Sequence, residues 1–455
     1  MGLIASSFNS NLVPRISFQT DSMFDLLTGV YLPGKDDYYL NGGLSAHINL
    51  IAGPQGHFKS SLSASWLMRS LSLYPTTDAI VIDTENAISV DKSRVYHMAG
   101  EHYRDELQER VVWLAGDDIT LDQVFNTIKE LATQKEKLRK ELEIETPFLN
   151  PVDGQPIRIM LPTYVFVDSF TVLRSIREKD MLNTAGNISD DSVNTTNIVD
   201  GGRKTMFTTY VLDVCRKYGI VLLETAHYDK APSLSQYQPN PKQTIFAKQD
   251  WKLKSCGSNL KFLATIYGTV SASVLLDSTK KEPLYGDEHN QMFRAQSGVD
   301  FLLERCKGNA AGTCFTFVAS QYEGLLNALT NYHYLRINDF FGLQGSKQKQ
   351  QSYWLPDLSL TRNTFRELSD SSPELRRAIA LTAELLFIQK NWYLAGTNEI
   401  FHFPPQKLFD VLLSDRNKEL KQEILQSRGY WTYQGTDQPY MSLIKVLQLL
   451  MPTEK

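Results

Sequence analysis

The stretch that most constrains this chain is Ile48–Ser61, INLIAGPQGHFKSS. Ile48, Leu50 and Ile51 are apolar and β-favouring, so they predict a buried strand. Gly53-Pro54-Gln55-Gly56-His57 then turns the chain, and Lys59 to Tyr74 predicts a helix. Strand, glycine-bearing loop, Lys-Ser and helix is the order of the phosphate-binding pattern G-x-x-x-x-G-K-[ST], with Phe58 in place of the second glycine. The chemistry survives that departure. Backbone N–H groups at a helix N-terminus face phosphates, Lys59 reaches the β and γ oxygens, and the Ser60 hydroxyl can hold Mg²⁺. Gly53 to Ser61 is therefore a candidate cradle for ATP, with Pro54, Gln55, Gly56, His57, Phe58 and Ser61 lining it. A plain strand–turn–helix also uses glycine; the pattern counts because both flanking elements are predicted.

The rest of the chain supplies more strands and helices of the same kind. Ala79–Asp83, Tyr164–Asp168 and Ile220–Leu223 are short apolar runs, and Lys204–Lys217 predicts a helix before the last of them. Leu121, Val124, Phe125, Ile128 and Leu131 keep helical spacing and lead into KEKLRKELEIE, whose alternating signs suit a solvated face. Strands alternating with helices predict an α/β fold with a mostly parallel central sheet and helices on both faces. Ligands then bind at the carboxyl ends of the strands. Phe301–Lys307 and Thr313–Phe317, joined by GNAAG, predict two further strands. Residues 1–19 are polar and predict an arm without a core of its own, and 20–46 a loop-rich approach. Pro147–Ile157 looks like a linker-like insertion, and SKQKQQS after Gly345 like a linker. Ser372-Pro373 predicts a helix start. The expected organisation is an arm (1–19), a core (20–345) and a small helical C-terminal domain (346–455).

Composition narrows the function classes. The formal net charge is −4, so a nucleic-acid surface must be local. Four cysteines without a C-x-x-C pair signal neither zinc nor a disulfide framework, which suits a reduced cytoplasmic compartment. No apolar run reaches ~18 residues, so no membrane partner is expected. Met1-Gly2…Ser6 formally matches a myristoylation signal but lacks a polybasic second anchor.

Three strand ends carry polar residues suited to nucleotide hydrolysis. Asp168 closes an apolar strand, where a carboxylate can contact Mg²⁺. Glu85 follows the second strand and can orient or deprotonate water, and His227 follows the fourth and can sense the γ-phosphate. A lone carboxylate at a strand end is more often a cap or a solvated turn; Asp168 gains weight from the phosphate loop that accompanies it. Tyr228–Lys261 holds six lysines (Lys230, Lys242, Lys248, Lys252, Lys254, Lys261) against two aspartates, +4 in a chain of −4. Tyr237, Phe246 and Trp251 are interleaved, which suits a phosphate backbone with stacked bases. An ordinary solvated loop is the alternative. Arg174–Lys204 balances five basic and five acidic residues, so its composition says nothing.

GPQGHFKSS, VIDTENAIS, YVFVDS, VLLETAHYDK and SCGSNLKFLATIYGTV, in that order, resemble the RecA/RadA recombinases. The closest look is to the phage UvsX-like branch, whose phosphate loops also carry Phe before Lys-Ser. The resemblance covers roughly residues 18–345. It implies that Lys59 and Ser60 bind ATP and Mg²⁺, that Glu85 is the catalytic glutamate, and that Asp168 is the second Mg²⁺-site residue. His227 would link γ-phosphate to DNA binding. The segment after His227 and Arg174–Asp200 would be the DNA loops, with Lys230, Lys242, Phe246, Lys248, Trp251, Lys252 and Lys254 as contacts. In that family ATP lies between subunits, and cations placed like Arg305 and Lys307 reach across it. The second loop lacks the family's dense glycines, and residues 117–162 are longer than expected. The implied function is an ATPase that forms helical filaments of its own copies on single-stranded DNA and promotes pairing and strand exchange with a homologous duplex. Mediator and single-strand-binding proteins are the implied further partners, and the compartment is the host cytoplasm if the chain is viral. A hexameric DnaB-like helicase motor is the alternative; the long basic loop and the lack of a preceding helical domain favour the recombinase.

Overall fold

The computed structural model describes residues 15–116, 118–184, 191–230, 245–246, 251–256, 259–277, 283–286, 296–391 and 418–450. Its centre is a sheet built on β1 (Ile48–Gly53), every residue of which is buried. The other strands are β2 (Asp78–Asp83), β3 (Val111–Ala115), β4 (Thr163–Asp168), β5 (Ile220–Lys230), β6 (Trp251–Leu253), β7 (Ile266–Val274), β8 (Gln296–Cys306), β9 (Cys314–Ser320) and β10 (Gly324–Leu325). They lie in the order β10-β9-β8-β7-β1-β5-β4-β2-β3, with β6 paired to the end of β5. From β7 to β3 the pairings are parallel, and β8, β9 and β10 extend the sheet antiparallel.

Strand pleating sorts the apolar side chains onto two faces. Ile48, Leu50, Ala52, Val165 and Val167 join one buried cluster, and Ile51, Tyr164, Phe166, Val221 and Leu223 the other. The first face is covered by α2 (Leu121–Lys137), through Val124 and Ile128, and by α3 (Asp191–Tyr218), through Val211 and Cys215. The second face is covered by α1 (Lys59–Leu73), through Leu62, Trp66 and Leu67. The α/β sheet with helices on both faces is therefore present as expected.

Three local expectations are corrected. Pro147–Ile157 is not a linker: Glu143–Leu149 pairs antiparallel with Pro156–Met160, and the Phe148 ring is fully buried. Gln350–Ser352 is the middle strand of an antiparallel sheet with Leu343–Gly345 and Leu355–Leu360, so SKQKQQS turns a hairpin. Within 20–46, Met23–Thr28 is a helix closed by a capping box, and Val30–Pro33 pairs with Tyr38–Asn41. Of the arm, Ile16 and Phe18 are buried in the main cluster. The Trp431 ring lies 5.8 Å from that of Phe18, 4.9 Å from Tyr74 and 5.4 Å from Phe148, and its backbone N–H donates to Gln19 Oε1 at 2.9 Å. The C-terminal helices Pro373–Lys390, Lys418–Gln426 and Leu443–Leu450 bury residues in the same cluster. No described helix is long and apolar enough to cross a membrane.

Candidate active site

Parallel pairing brings the carboxyl ends of β1, β2, β4 and β5 to one edge, with Gly53 opposite His227 and Asp168 opposite Asp83. The turn after β1 is set by backbone demands. A Cβ on Gly53 would lie 2.6 Å from the Val270 carbonyl oxygen, so the close approach of β7 requires glycine there. Gly56 has φ +71°, and Phe58 has φ 64° and ψ 13°, the left-handed conformation that the missing motif glycine would adopt freely. The half-buried Phe58 ring packs on the main apolar cluster instead. Helix α1 begins at Lys59 with no side-chain cap, so its first-turn N–H groups face the turn without a local side-chain acceptor. The His57 ring accepts the Ala272 N–H at Nδ1, 2.8 Å, and ties the turn to β7.

Lys59 is buried, and its ammonium donates to the Pro54 carbonyl at 2.6 Å. Burial lowers its pKa to about 8, against the opposing pull of Asp168 and Glu85. The Ser60 hydroxyl donates to Asp168 Oδ1 at 3.0 Å, and the Thr225 hydroxyl donates to the same oxygen. Burial pushes the Asp168 carboxyl up to about 6, partly offset by those two hydrogen bonds. A buried carboxylate and a hydroxyl are hard-oxygen ligands of the kind Mg²⁺ takes, and the lysine beside them suits phosphate, so the residues present fit Mg-ATP.

Glu85 sits across from this pair. Its Oε1 accepts from Ser169 Oγ at 2.8 Å and meets His227 Nε2 at 2.8 Å. The His227 hydrogen bond is the main reason its pKa lies below the usual carboxylate range. The turn that carries Glu85 is held by Asp83, which accepts the N–H groups of Ala87, Ile88 and Ser89 at 3.2, 2.9 and 2.7 Å. The His227 N–H donates to Thr171 Oγ1 at 2.8 Å, and its carbonyl accepts from the Lys254 N–H at 2.9 Å. Lys59, Ser60, Asp168, Glu85 and His227, picked from four separated stretches, thus meet at one edge. Sequence reading missed Asp83, Thr225 and Ser169. Alternation along Glu224-Thr225-Ala226-His227 was the available signal for Thr225, since it shares a strand face with His227.

Arg305 and Lys307 lie elsewhere. Cys306 pairs with Ile266, and Ile266 with Asn49, so this pair of cations sits at the amino end of β1 and β7, opposite the phosphate turn. Four residues of β1 separate the two ends, about 13 Å of strand. The strand ends at Cys306, so Lys307 is not on it as expected; its N–H donates to the Thr265 carbonyl and its ammonium to the Leu263 carbonyl at 2.7 Å. The Arg305 guanidinium stands 6.0 Å over the Phe262 ring.

The basic stretch after His227 is described in part. Lys230, whose backbone closes β5, pairs with Trp251, and Asp229 with Lys252. The Trp251 ring meets Tyr228 edge-on at 5.7 Å. A Cβ on Gly312 would lie 2.5 Å from the Phe246 ring, which places Phe246 against the β8–β9 turn. Lys242 and Lys248 lie outside the described residues, as do 185–190 of the other expected loop, which is otherwise helical over Ile176–Thr184 and in α3.

No protein-family model matches the chain, and no curated protein matches it. A crystal structure of the RadB recombinase is similar at 15% identity, covering 63% of this chain and 92% of that chain, with a TM-score of 0.31. At those values the likeness assigns no function. What defines the class is internal: a mostly parallel α/β sheet whose carboxyl edge gathers a glycine-bearing turn, a buried lysine and two linked carboxylate centres.

Proposed function

We propose that the protein is a Mg²⁺- and ATP-dependent recombinase of the RecA type. It assembles as a helical filament of its own copies on single-stranded DNA and exchanges strands with a homologous duplex. The observation that carries this reading is the chain of contacts Ser60–Asp168, Ser169–Glu85–His227 and His227–Lys254, which joins a phosphate-type turn to a basic, aromatic loop.

In this reading Lys59 meets the β and γ phosphates, and Ser60 and Asp168 hold Mg²⁺, which when bound offsets phosphate charge. Glu85, ionised through its hydrogen bond to His227, orients water and accepts its proton. His227 spans two groups. Its ring holds Glu85 and its carbonyl holds the start of Lys254, so a shift of the ring on ATP hydrolysis reaches the loop directly. Arg305 and Lys307, on the far edge from their own phosphate turn, serve the nucleotide of a neighbouring copy. Electron microscopy of the protein with ATP and single-stranded DNA tests the reading: helical filaments support it, and closed rings or no assembly would overturn it.

A further inference from the structure

The amino edge of the sheet carries a second charged surface that the ATP reading does not use. A cleft of about 310 Å³ opens between the Glu143–Met160 hairpin and the C-terminal end of α3. Five cations line it, Arg15, Arg139, Arg158, Arg216 and Lys217, against one carboxylate, Glu143. Three of the cations have acidic partners: Glu136 takes Arg139 at 2.8 Å and Lys217 at 3.8 Å, and Glu145 takes Arg158 at 3.4 Å. Arg15 and Arg216 form no ion pair among the described residues, and they face each other closely enough that Arg216 lowers the Arg15 pKa, after burial. Lys307 is repelled by both Arg15 and Arg305. His47, buried at the same edge with its Nδ1 unpartnered among the described residues, is held neutral by burial and by Arg15, Lys307 and Arg216.

We propose that this cleft, lined by Arg15 and Arg216, binds the phosphodiester backbone of a nucleic acid. Arg15 and Arg216 face each other without counter-charges among the described residues, and a phosphate relieves that repulsion. Four of the five lining cations are arginines, whose planar fork takes two phosphate oxygens at once. Five cations around one cleft suit a run of phosphates better than a single ion. The site rests on the nucleic-acid reading above but uses different residues from the basic loop.

The test uses the full chain without nucleotide, a short fluorescent duplex and tripolyphosphate. Arg15 and Arg216 are exposed and repel each other, so Arg15→Gln/Arg216→Gln should match or exceed the wild-type denaturation midpoint. Duplex affinity should fall, and its log–log salt slope, measured from about 50 to about 200 mM salt, should flatten by ~1.8, at ~0.9 per lost contact. Arg158→Gln alone should flatten it by ~0.9. An unchanged slope in both variants, while Lys252→Gln/Lys254→Gln weakens binding, would overturn the cleft and leave the loop. A wild type that binds no duplex without nucleotide would likewise overturn the cleft. Tripolyphosphate bound by wild type and not by the double variant, with equal duplex affinity, would make the ligand a free polyphosphate and overturn the nucleic-acid assignment.

Discussion

The two edges of the central sheet are built on opposite electrostatic plans. At the carboxyl edge the central charges are paired: Lys59 faces Asp168 and Glu85, and Glu85 meets His227. At the amino edge Arg15, Arg216, Arg305 and Lys307 repel one another, and the buried His47 among them stays neutral. A balanced edge is organised before its ligand arrives, as catalysis requires. An unbalanced edge carries repulsion that an anion from outside would relieve. On the proposed reading, one sheet offers a reaction site and a receiving face at its two ends, the arrangement a head-to-tail assembly needs.

The largest expected effect breaks the balanced edge. Lys59→Ala should abolish ATP hydrolysis and nucleotide-dependent DNA binding, and normal turnover in that variant would remove the phosphate assignment. Glu85→Gln keeps shape and hydrogen bonding but loses the base. It should bind ATP and DNA and turn over at least ~100-fold more slowly. Weak nucleotide binding there would instead mark Glu85 as a structural partner of His227 and Ser169.

The next effect joins the two edges. Arg305→Ala and Lys59→Ala proteins should each be nearly inactive. Mixed one to one, they should recover up to about a quarter of wild-type ATPase, because random assembly completes about one interface in four. A dead mixture in filaments that contain both proteins would end the shared-site role of Arg305 and pass the question to Lys307.

Much of this was legible in the residue order, and the failures share a cause. Ile48–Gly53, Ala79–Asp83, Tyr164–Asp168 and Ile220–Leu223 were readable because strands buried on both faces are continuous apolar runs. The Glu143–Met160 hairpin was hidden by Pro147, Pro151 and Pro156 and by its charge, which suit an edge hairpin as well as a linker. Gln350–Ser352 was hidden because Lys and Gln dominate its approach, although Gln350 and Ser352 are buried. In the site, Lys59, Ser60, Asp168, Glu85 and His227, singled out for their chemistry, lie together, Arg305 and Lys307 do not, and the supporting residues gave no signal of their own. Asp83 holds backbone N–H groups and Thr225 holds Asp168, roles that any strand-end Asp or Thr can take. Arg15 and Arg216 are 201 positions apart in the numbering and become neighbours only through the fold.

A smaller effect probes the unbalanced edge through stability. His47 titrates near 6.5 when unfolded and near 3 when folded, first because of burial and then because of Arg15, Lys307 and Arg216. Its folded pKa is depressed, so between those values the unfolded chain binds the extra proton and stability falls as pH falls below about 6.5. From pH 7 to about pH 5 that loss is at most about 2 kcal/mol. His47→Gln removes the titration and should lose less stability than wild type over this interval in urea melts. Parallel losses in the two proteins would mean that His47 charges freely and that the cations around it are better solvated than the fold indicates.

The smallest effect returns to the turn that the carboxyl edge depends on. Phe58 holds a left-handed conformation at a cost of about 1–2 kcal/mol for a residue with a side chain, and its ring recovers part of that by packing on the main cluster. Phe58→Ala loses the ring and keeps the strain. Phe58→Gly loses the ring and the strain, at the expense of a more flexible unfolded chain worth about 0.4–1 kcal/mol. Both variants should be less stable than wild type, with the glycine variant ahead of the alanine variant by up to about 1 kcal/mol, the reverse of the order inside a helix. Both should still hydrolyse ATP, because the N–H groups, Lys59 and Ser60 that meet phosphate remain in place. An alanine variant more stable than the glycine variant would show that residue 58 leaves the left-handed region readily, and that the turn is shaped by Gly53 against Val270 and by the His57 contact to Ala272 instead.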